Sequence, residues 1–494
     1  MMRFAAGGFA LLAASFAWPT PLPTTAPAPR PTIAWQGAPA ASFAVQVTAL
    51  GVSPDGAARA LVRVVLRDAG GHPTQLRGGG DFDFDVDRGE AQWQTRLRYG
   101  GPAAIVSVRD AAPVTVRVIA NRPAALGEHT VRYVPLVPGT PQVVGEALGP
   151  HLVRIGWFPR APGGTVRIVH EGRAALVSAA ASSWDDDGVT PGTTAHYVVE
   201  RAGGVRTALD VAVPPELPRS GIDAVRGKGA WLAFSGDARD DDGYDKLDID
   251  QIVATAKAAG LRYVELRLAY GAFDQITPAA RTTIDRLIDG LDEAGIAVVG
   301  WTVPRELAFD DLAENVAVAR YRTPSGHGIT GLAVDLERGG EFMGADPLGR
   351  AGMSGYLRVL REAVGPHVLL VATVEDPFLE HLDERAYPYA EIAAPADVLQ
   401  PMTYWRMLGP WDSVPKVRQV VAGSAMLLRR FAGRPLPIEI GAQTRPLSRL
   451  GAPPADELTA SVESARRAGA IGVIFYDWTG TAPDQWGAIA HTAW

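Results

Sequence analysis

From about residue 229 onward the 494-residue chain repeats one unit: a short apolar run, a turn, then an amphipathic stretch at helical period. The strand candidates are 229–236 (GAWLAFSG), 263–269 (YVELRLA), 297–303 (AVVGWTV), 331–337 (GLAVDLE), 369–375 (LLVATVE), 398–405 (VLQPMTYW), 437–443 (PIEIGAQ) and 472–478 (GVIFYDW). Between them lie helical patterns such as 249–259, 279–294, 355–364 and 458–468, most of them followed by Gly or Pro. Eight strand-and-helix units are what a closed (β/α)8 barrel needs, and an open doubly wound sheet seldom holds one period for so long. The pattern therefore predicts a (β/α)8 TIM barrel over residues 229–494.

In such a barrel the chemistry sits at the carboxyl ends of the strands. The fourth run ends in Asp335 and Glu337, and strand alternation sends Ala333, Asp335 and Glu337 to one face. The same parity brings Glu265 and Arg267 inward on strand two, and Gln400, Met402 and Tyr404 on strand six. Glu439 and Gln443 follow on strand seven, then Tyr476 and Trp478 on strand eight; Trp301, Trp405 and Trp411 stand near strand ends as possible stacking platforms. A ring of acids, amides and aromatics suits a carbohydrate, whose hydroxyls need paired donors and acceptors while its ring faces stack on Trp or Tyr. For Trp301 core packing is an equal explanation, and for Glu265, Arg267 and Glu439 a buried ion-pair network is the competing one.

The chain before the barrel reads differently. Residues 1–17 carry one Arg and then a small-residue apolar run, with Ser15 and Ala17 set as a small-x-small cleavage pattern. So short a run cannot cross a bilayer whose hydrocarbon is about 30 Å thick, so a secretory signal peptide is expected, with a frayed terminus or an uncleaved anchor as the alternatives. A Pro/Thr/Ala linker follows over 18–32, which makes the protein secreted, periplasmic or displayed at the cell surface.

Residues 33–137 alternate apolar and polar positions in runs at 43–50, 60–67, 92–99, 105–109, 114–119 and 129–134, punctuated by Gly, Pro, Asp and Asn, which predicts a β-sandwich. The stretches ALVRVVLRDAGGHP and VTVRVIAN resemble bacterial immunoglobulin-like modules. Within this segment four Asp of 81–87 share one strand face, either a calcium site or a solvated edge protected by charge. Residues 139–214 resemble fibronectin type III domains in VRIGW, ending at Trp157, and in WDDDGVTPGTTAHYVV, where a Pro-Gly turn precedes a strand with a core Tyr197. Residues 215–228 are read as the last linker before the barrel. The fold class is thus multidomain: two all-β sandwiches ahead of a TIM barrel.

The barrel itself resembles the family 18 glycoside hydrolases, the chitinase-like barrels. Their fourth strand ends in Asp-x-x-Asp-x-Asp-x-Glu, and this chain has Thr330-Gly331-Leu332-Ala333-Val334-Asp335-Leu336-Glu337. Asp335 and Glu337 match; Thr330 and Ala333 depart from the first and second Asp. Gln400-Pro401-Met402-Thr403-Tyr404 is similar to that family's Met-x-Tyr, with Trp405 where an Asp usually follows, and Trp478 stands where the family has a Trp at the floor of the sugar site. The resemblance implies Glu337 as general acid, Asp335 orienting an N-acetyl group that attacks the anomeric carbon, and Tyr404 bonding that same group. The Asp absent at Ala333 would have shared charge and protons with Asp335.

Two further schemes stay open on the residues alone. Glu337 and Glu439 could act as acid/base and nucleophile, a pair that needs a spacing of about 5 Å. Alternatively the barrel has lost catalysis and the protein is a carbohydrate-binding or adhesion protein. The expected partner in every case is a polysaccharide or cell-wall glycan. A net charge of -7 without a long basic run gives nucleic acid no footing. The absence of cysteine removes disulfides, thiol nucleophiles and cysteine metal sites. His327, His367 and His381 do not cluster, and the Asp-rich loop 237–245 lacks EF-hand spacing, so no metal and no cofactor are expected.

Overall fold

A computed structural model of the chain describes residues 40–494 apart from 72–73, 75–80, 95–102, 136–141, 218, 234–247, 271–272, 275, 277–279, 305–308, 339–346 and 408. The signal peptide and the Pro-rich linker expected over residues 1–32, and the Asp-rich loop 237–245, lie outside the described residues. The chain divides into two compact units, residues up to 147 with 152–214, and 148–151 with 215–494.

Alternating valines and aromatics give the first unit its strands. β1 (Ser42–Val52), β2 (Ala58–Arg67), β5 (Ala103–Val108) and β4 (Glu90–Gln94) form one antiparallel sheet in the order β1-β2-β5-β4, and β3 (Asp81–Val86), β6 (Val114–Arg122) and β7 (Glu128–Tyr133) form a second. Their inward residues, among them Phe43, Val62, Phe82, Val106 and Val116, share one core. The next seven strands repeat the plan. β8 (Gln142–Gly149), β9 (Leu152–Phe158) and β12 (Ser183–Asp186) form a three-stranded sheet, β12-β9-β8. β10 (Thr165–His170), β11 (Arg173–Ser178), β13 (Thr194–Arg201) and β14 (Val205–Ala212) form the sheet β11-β10-β13-β14. Trp157 and Tyr197 are buried in the core these two sheets share.

On β3 the side chains of Asp83 and Asp85 are exposed, as is that of Asp87 just beyond. Asn121 Nδ2 donates to Asp83 at 2.8 Å and the Thr115 amide to Asp87 at 2.9 Å. Among the described residues no group of three or more His, Cys, Asp or Glu is placed to hold a metal ion.

Asp55, in the β1–β2 turn, is one of the first unit's charged anchors. Arg109 donates to Asp55 Oδ2 at 2.9 Å, and the Ser53 hydroxyl and the Ala57 amide donate to Oδ1. Burial pushes this carboxyl up, but the charges of Arg59 and Arg109 and the bonds from Ser53 and Ala57 outweigh it, so the pKa is held below the ordinary aspartate value. The stability it contributes is therefore present above that ordinary value and is lost as pH falls through the folded-state one. Arg109→Ala is expected to destabilise the unit by about 1–3 kcal/mol at neutral pH. Urea unfolding checks this, and the gap between variant and wild type should narrow in acid.

In the second unit buried, mostly apolar runs alternate with amphipathic helices, as buried parallel strands require. β15 (Gly227–Leu232), β16 (Tyr263–Tyr270), β18 (Ala297–Val303), β19 (Gly331–Leu336), β20 (Leu369–Val374), β21 (Val398–Thr403), β22 (Glu439–Gln443) and β23 (Gly472–Tyr476) pair in parallel in chain order. β15 pairs with both β16 and β23, which closes the barrel; β17 (Phe273–Asp274) is a short antiparallel addition to β16. Helices lie between consecutive strands, the longest being Pro347–Val364 and Val414–Phe431. No helix among the described residues is long and apolar enough to cross a membrane.

Glycines let large rings fill the interior. A side chain at Gly441 would meet the Trp231 ring at 2.8 Å, and one at Gly229 would meet the Tyr263 ring at 2.2 Å. Residues 215–228, expected as a linker, fall within the barrel unit, the last two of them at the start of β15. The turn Ile222–Val225 buries Val225 against the barrel interior, and Leu369 N–H donates to Ser220 Oγ at 2.6 Å at the start of β20. The apolar content of Ile222, Ala224 and Val225 is the signal that reading this stretch as a linker overlooks.

Candidate active site

Barrel strands tilt, so inward side chains of alternate strands meet at one level. The strand registers place Glu265, Ala333, Gln400 and Ile474 together on one level, from β16, β19, β21 and β23. Two residues further along the same strands stand Arg267, Asp335, Met402 and Tyr476, and beyond them Glu337 and Tyr404. Trp231, Trp301 and Thr373 come from the intervening strands between those first two levels, and Glu439 lies below both.

Asp335 is closed off from solvent. Trp301 Nε1 donates to its Oδ2 at 3.2 Å, while Oδ1 accepts no hydrogen bond among the described residues. Burial pushes its pKa up to about 7; the Trp301 bond pulls down, the Glu375 charge pushes up and Arg267 pulls down again. Arg267 itself lies 5.5 Å from the Trp301 ring centre. Tyr404 stacks on Tyr476 with ring centres 5.2 Å apart, and the Trp231 ring meets both edge-on. Burial, then the charges of Tyr476, Asp335 and Glu337, hold the Tyr404 phenol well above its ordinary value. Tyr476 is pushed up to about 12, by burial first and then by Asp477, with Asp335 and Glu337 adding to it. Asp335 and Glu337 thus act on the same two phenols.

Glu337, half-buried, is the first residue past β19. Its neighbours pin the backbone on both sides: Tyr387 Oη donates to the Leu336 carbonyl at 2.6 Å, and the Arg338 amide donates to Glu375 Oε1 at 2.9 Å. The Arg338 guanidinium pairs with Glu375 and Glu380. Glu380 is pushed up to about 8 by burial and by Glu375, against the pull of Arg338. Glu375, Glu380, Arg338 and Trp231 are neighbours that the sequence reading missed. Strand parity could have found Glu375, the last residue of the run 369–375.

Beneath this level the Gln400 amide donates to Glu265 Oε1 at 2.8 Å and to Glu439 Oε2 at 2.9 Å, while Thr373 Oγ1 donates to Gln400 Oε1. The buried ion-pair network considered from sequence is replaced here by two acids sharing one amide. Burial alone holds Glu439 well above the ordinary glutamate value.

The remaining candidates, Met402 apart, lie elsewhere. Trp405 is fully buried outside the strand barrel, its Nε1 donating to Glu457 Oε2 at 2.9 Å, because it has the opposite parity to Tyr404. Gln443 spends both ends on loop backbone, donating to the Arg445 carbonyl and accepting from the Arg406 amide. Trp478, half-buried in the turn Trp478–Gly480, packs on Trp486 with ring centres 4.8 Å apart. Met402 is buried on the Asp335 level, and Trp411 packs against Phe378.

Glu457 also accepts two bonds from the half-buried Arg406, each 2.8 Å, so Glu457→Ala would leave the buried Trp405 N–H without its acceptor and Arg406 without its carboxylate. We expect it to cost the barrel about 1–3 kcal/mol, read by chemical denaturation.

No family model matches the chain, and no curated protein matches it in sequence. Among solved structures it is similar to a chitinase from Chromobacterium violaceum ATCC 12472, at 16% identity over 53% of this chain and 98% of that one, TM-score 0.36. It is similar also to a spore cortex-lytic enzyme of Bacillus megaterium QM B1551, at 12% identity over 60% and 78%, TM-score 0.38. A family 18 N-acetylglucosaminidase from Paenibacillus barengoltzii gives 14% identity over 54% and 99%, TM-score 0.36. Likeness at this level leaves the chemistry to be argued from the side chains.

Proposed function

We propose that the barrel is a glycoside hydrolase acting on an N-acetylated polysaccharide, with Glu337 as general acid. The observation that carries this reading is the meeting of two acids, Asp335 and Glu337, with two stacked phenols, Tyr404 and Tyr476, at the carboxyl ends of the strands. Asp335, fixed by the Trp301 indole, is suited to orient an acetamide, and Tyr404 to donate a hydrogen bond to it. Glu337, the more accessible acid, is left to protonate the leaving oxygen. The half-buried Trp478 supplies a face on which a sugar ring can stack.

Within the same proposal, the sheet orders β1-β2-β5-β4 with β3-β6-β7 support an immunoglobulin-like first module, and β12-β9-β8 with β11-β10-β13-β14 a fibronectin type III-like second one. Both would present the barrel outside the cell, after an export signal in residues 1–17 has been removed. One observation favours a second reading, a carbohydrate-binding barrel without turnover: Arg267 lies over Trp301 and its charge acts on Asp335. Reducing-end release by wild type beside Glu337→Gln separates the two.

A further inference from the structure

The backbone ladder between β19 and β20 ends with Asp335 opposite Thr373 and Leu336 opposite Val374, so the next residues in that register are Glu337 and Glu375. Here side chains take over from the ladder. The peptide plane before the Glu337 Cα is held by Tyr387, whose Oη donates to the Leu336 carbonyl at 2.6 Å. The plane after it is held by Glu375, whose Oε1 accepts the Arg338 amide at 2.9 Å. Each residue has two soft backbone dihedrals, and fixing the planes on both sides fixes them, so the direction in which the Glu337 side chain leaves the chain is fixed as well.

The holders are themselves braced. The Glu375 carbonyl accepts from Tyr389 Oη at 3.0 Å, and the buried Tyr387 and Tyr389 rings have centres 4.7 Å apart, so one short stretch grips the ends of both strands. Arg338 Nε lies 3.4 Å from the same Glu375 oxygen, and Arg338 Nη2 donates to Glu380. Glu380 comes from the turn after β20, which the buried Asp376 closes. Its Oδ1 accepts the Phe378 and Leu379 amides at 2.8 and 2.9 Å, and its Oδ2 the Thr403 hydroxyl at 2.7 Å. A strand end needs only that its peptide groups be bonded; bonding them to braced side chains sets direction too, which precise placement of a reacting group requires.

We propose that Glu375 is a positioning residue for Glu337: by holding the Arg338 amide it sets the angle at which the Glu337 carboxyl meets the leaving oxygen, and Tyr387 does the same from the other side. This rests on the reading of Glu337 as general acid. The hold acts through geometry. The charge of Glu375, which also reaches Asp335, is a separate effect. Glutamine at 375 separates the two, because it can accept the Arg338 amide and carries no charge. Moving a reacting group by about 1 Å costs on the order of 100-fold in rate, so loss of the hold is read in kcat.

Two measurements on the full chain test this together: steady-state kinetics on the N-acetylated glycan that wild type cleaves, and NMR of hydrogen exchange at the Arg338 amide after nitrogen-15 arginine labelling. Arg338→Lys identifies the signal by its loss. Glu375→Ala should lower kcat by about 10- to 100-fold with KM little changed, and its Arg338 amide should exchange about tenfold faster or more. Glu375→Gln should restore most of both. If circular dichroism shows Glu375→Ala unfolded, Tyr387→Phe, which keeps the ring and frees only the Leu336 carbonyl, should lower kcat by about tenfold at unchanged KM; wild-type kcat in it overturns the proposal. A glutamine variant as slow as the alanine one, or unchanged kcat in a variant whose amide has been freed, also overturns it. Exchange reads the hold without substrate: an amide freed by Glu375→Ala in a chain that hydrolyses nothing keeps the hold and discards the acid role of Glu337, whereas hydrolysis whose kcat ignores Glu375 does the reverse.

Discussion

Glu337→Gln is expected to lower polysaccharide hydrolysis by about 10²- to 10⁴-fold, the usual worth of a positioned proton donor, and to leave the unfolding curve where it was. The two halves of that expectation have separate physical causes. Glutamine keeps the shape and the hydrogen-bonding reach of the side chain but has no proton to give to a leaving oxygen. The backbone on either side is held by groups other than the Glu337 carboxyl, namely Tyr387 on the Leu336 carbonyl and Glu375 on the Arg338 amide, so the strand end stays in place. Initial rates and thermal unfolding measured on the same preparation check both halves. A variant that turns over like wild type removes Glu337 from the chemistry.

The barrel should also be more stable in mild acid than in mild alkali, and Glu439→Gln should remove part of the difference. Glu265 and Glu439 are both pushed up, by burial above all. An acid whose folded-state value is raised gives stability that is fully present below its unfolded value and is lost as pH rises through the folded one. For Glu265 that window runs from the ordinary glutamate value to about 8. Inside it each such acid costs the fold up to about 1.4 kcal/mol per pH unit. Glutamine at 439 can still take the Gln400 amide proton, and it carries no charge to bury. At about pH 8.5 the variant should be more stable than wild type by about 1–4 kcal/mol, in line with other replacements of buried charge. Denaturant unfolding at about pH 5 and about pH 8.5 reads both values.

Turnover by Glu439→Gln distinguishes the two-glutamate scheme from the one preferred here. Glu439 lies below the level of Glu265, well beneath the strand end that carries Glu337, and it is fully buried. Retained hydrolysis is the expected result. Loss of hydrolysis with a stabilised fold would return Glu439 to the role of nucleophile.

The barrel was legible because its constraint is local and repeated. Each strand run and each helical period announces itself within about ten residues, and eight repeats leave little choice of closure. Inward parity is legible for the same reason, and it alone sets Glu265, Asp335, Gln400, Tyr404 and Tyr476 on inward positions. Trp405 was misjudged by attending to residue type over parity: its neighbour Tyr404 faces in, so Trp405 faces the helices and Glu457. Gln443 faces the strand ends as parity asks, yet its amide closes a loop, a use fixed by backbone groups that no sequence pattern marks. An ion-pair network of Glu265, Arg267 and Glu439 is one of the alternatives that charge suggests; which groups meet across a barrel depends on strand stagger, and the stagger gives both acids to Gln400. The segment 215–228 reads as a linker from its Pro, Gly and charge, while Leu217, Ile222, Ala224 and Val225 inside it decide where it packs.

The most direct test of the account is reducing-end release from a panel of polysaccharides, with chitin, peptidoglycan and deacetylated glucosamine polymers included, by wild type beside Glu337→Gln. Release from an N-acetylated glycan that disappears in the variant is the predicted result. Silence from both proteins on every glycan, with circular dichroism showing the barrel folded, would contradict the hydrolase reading and leave a binding protein.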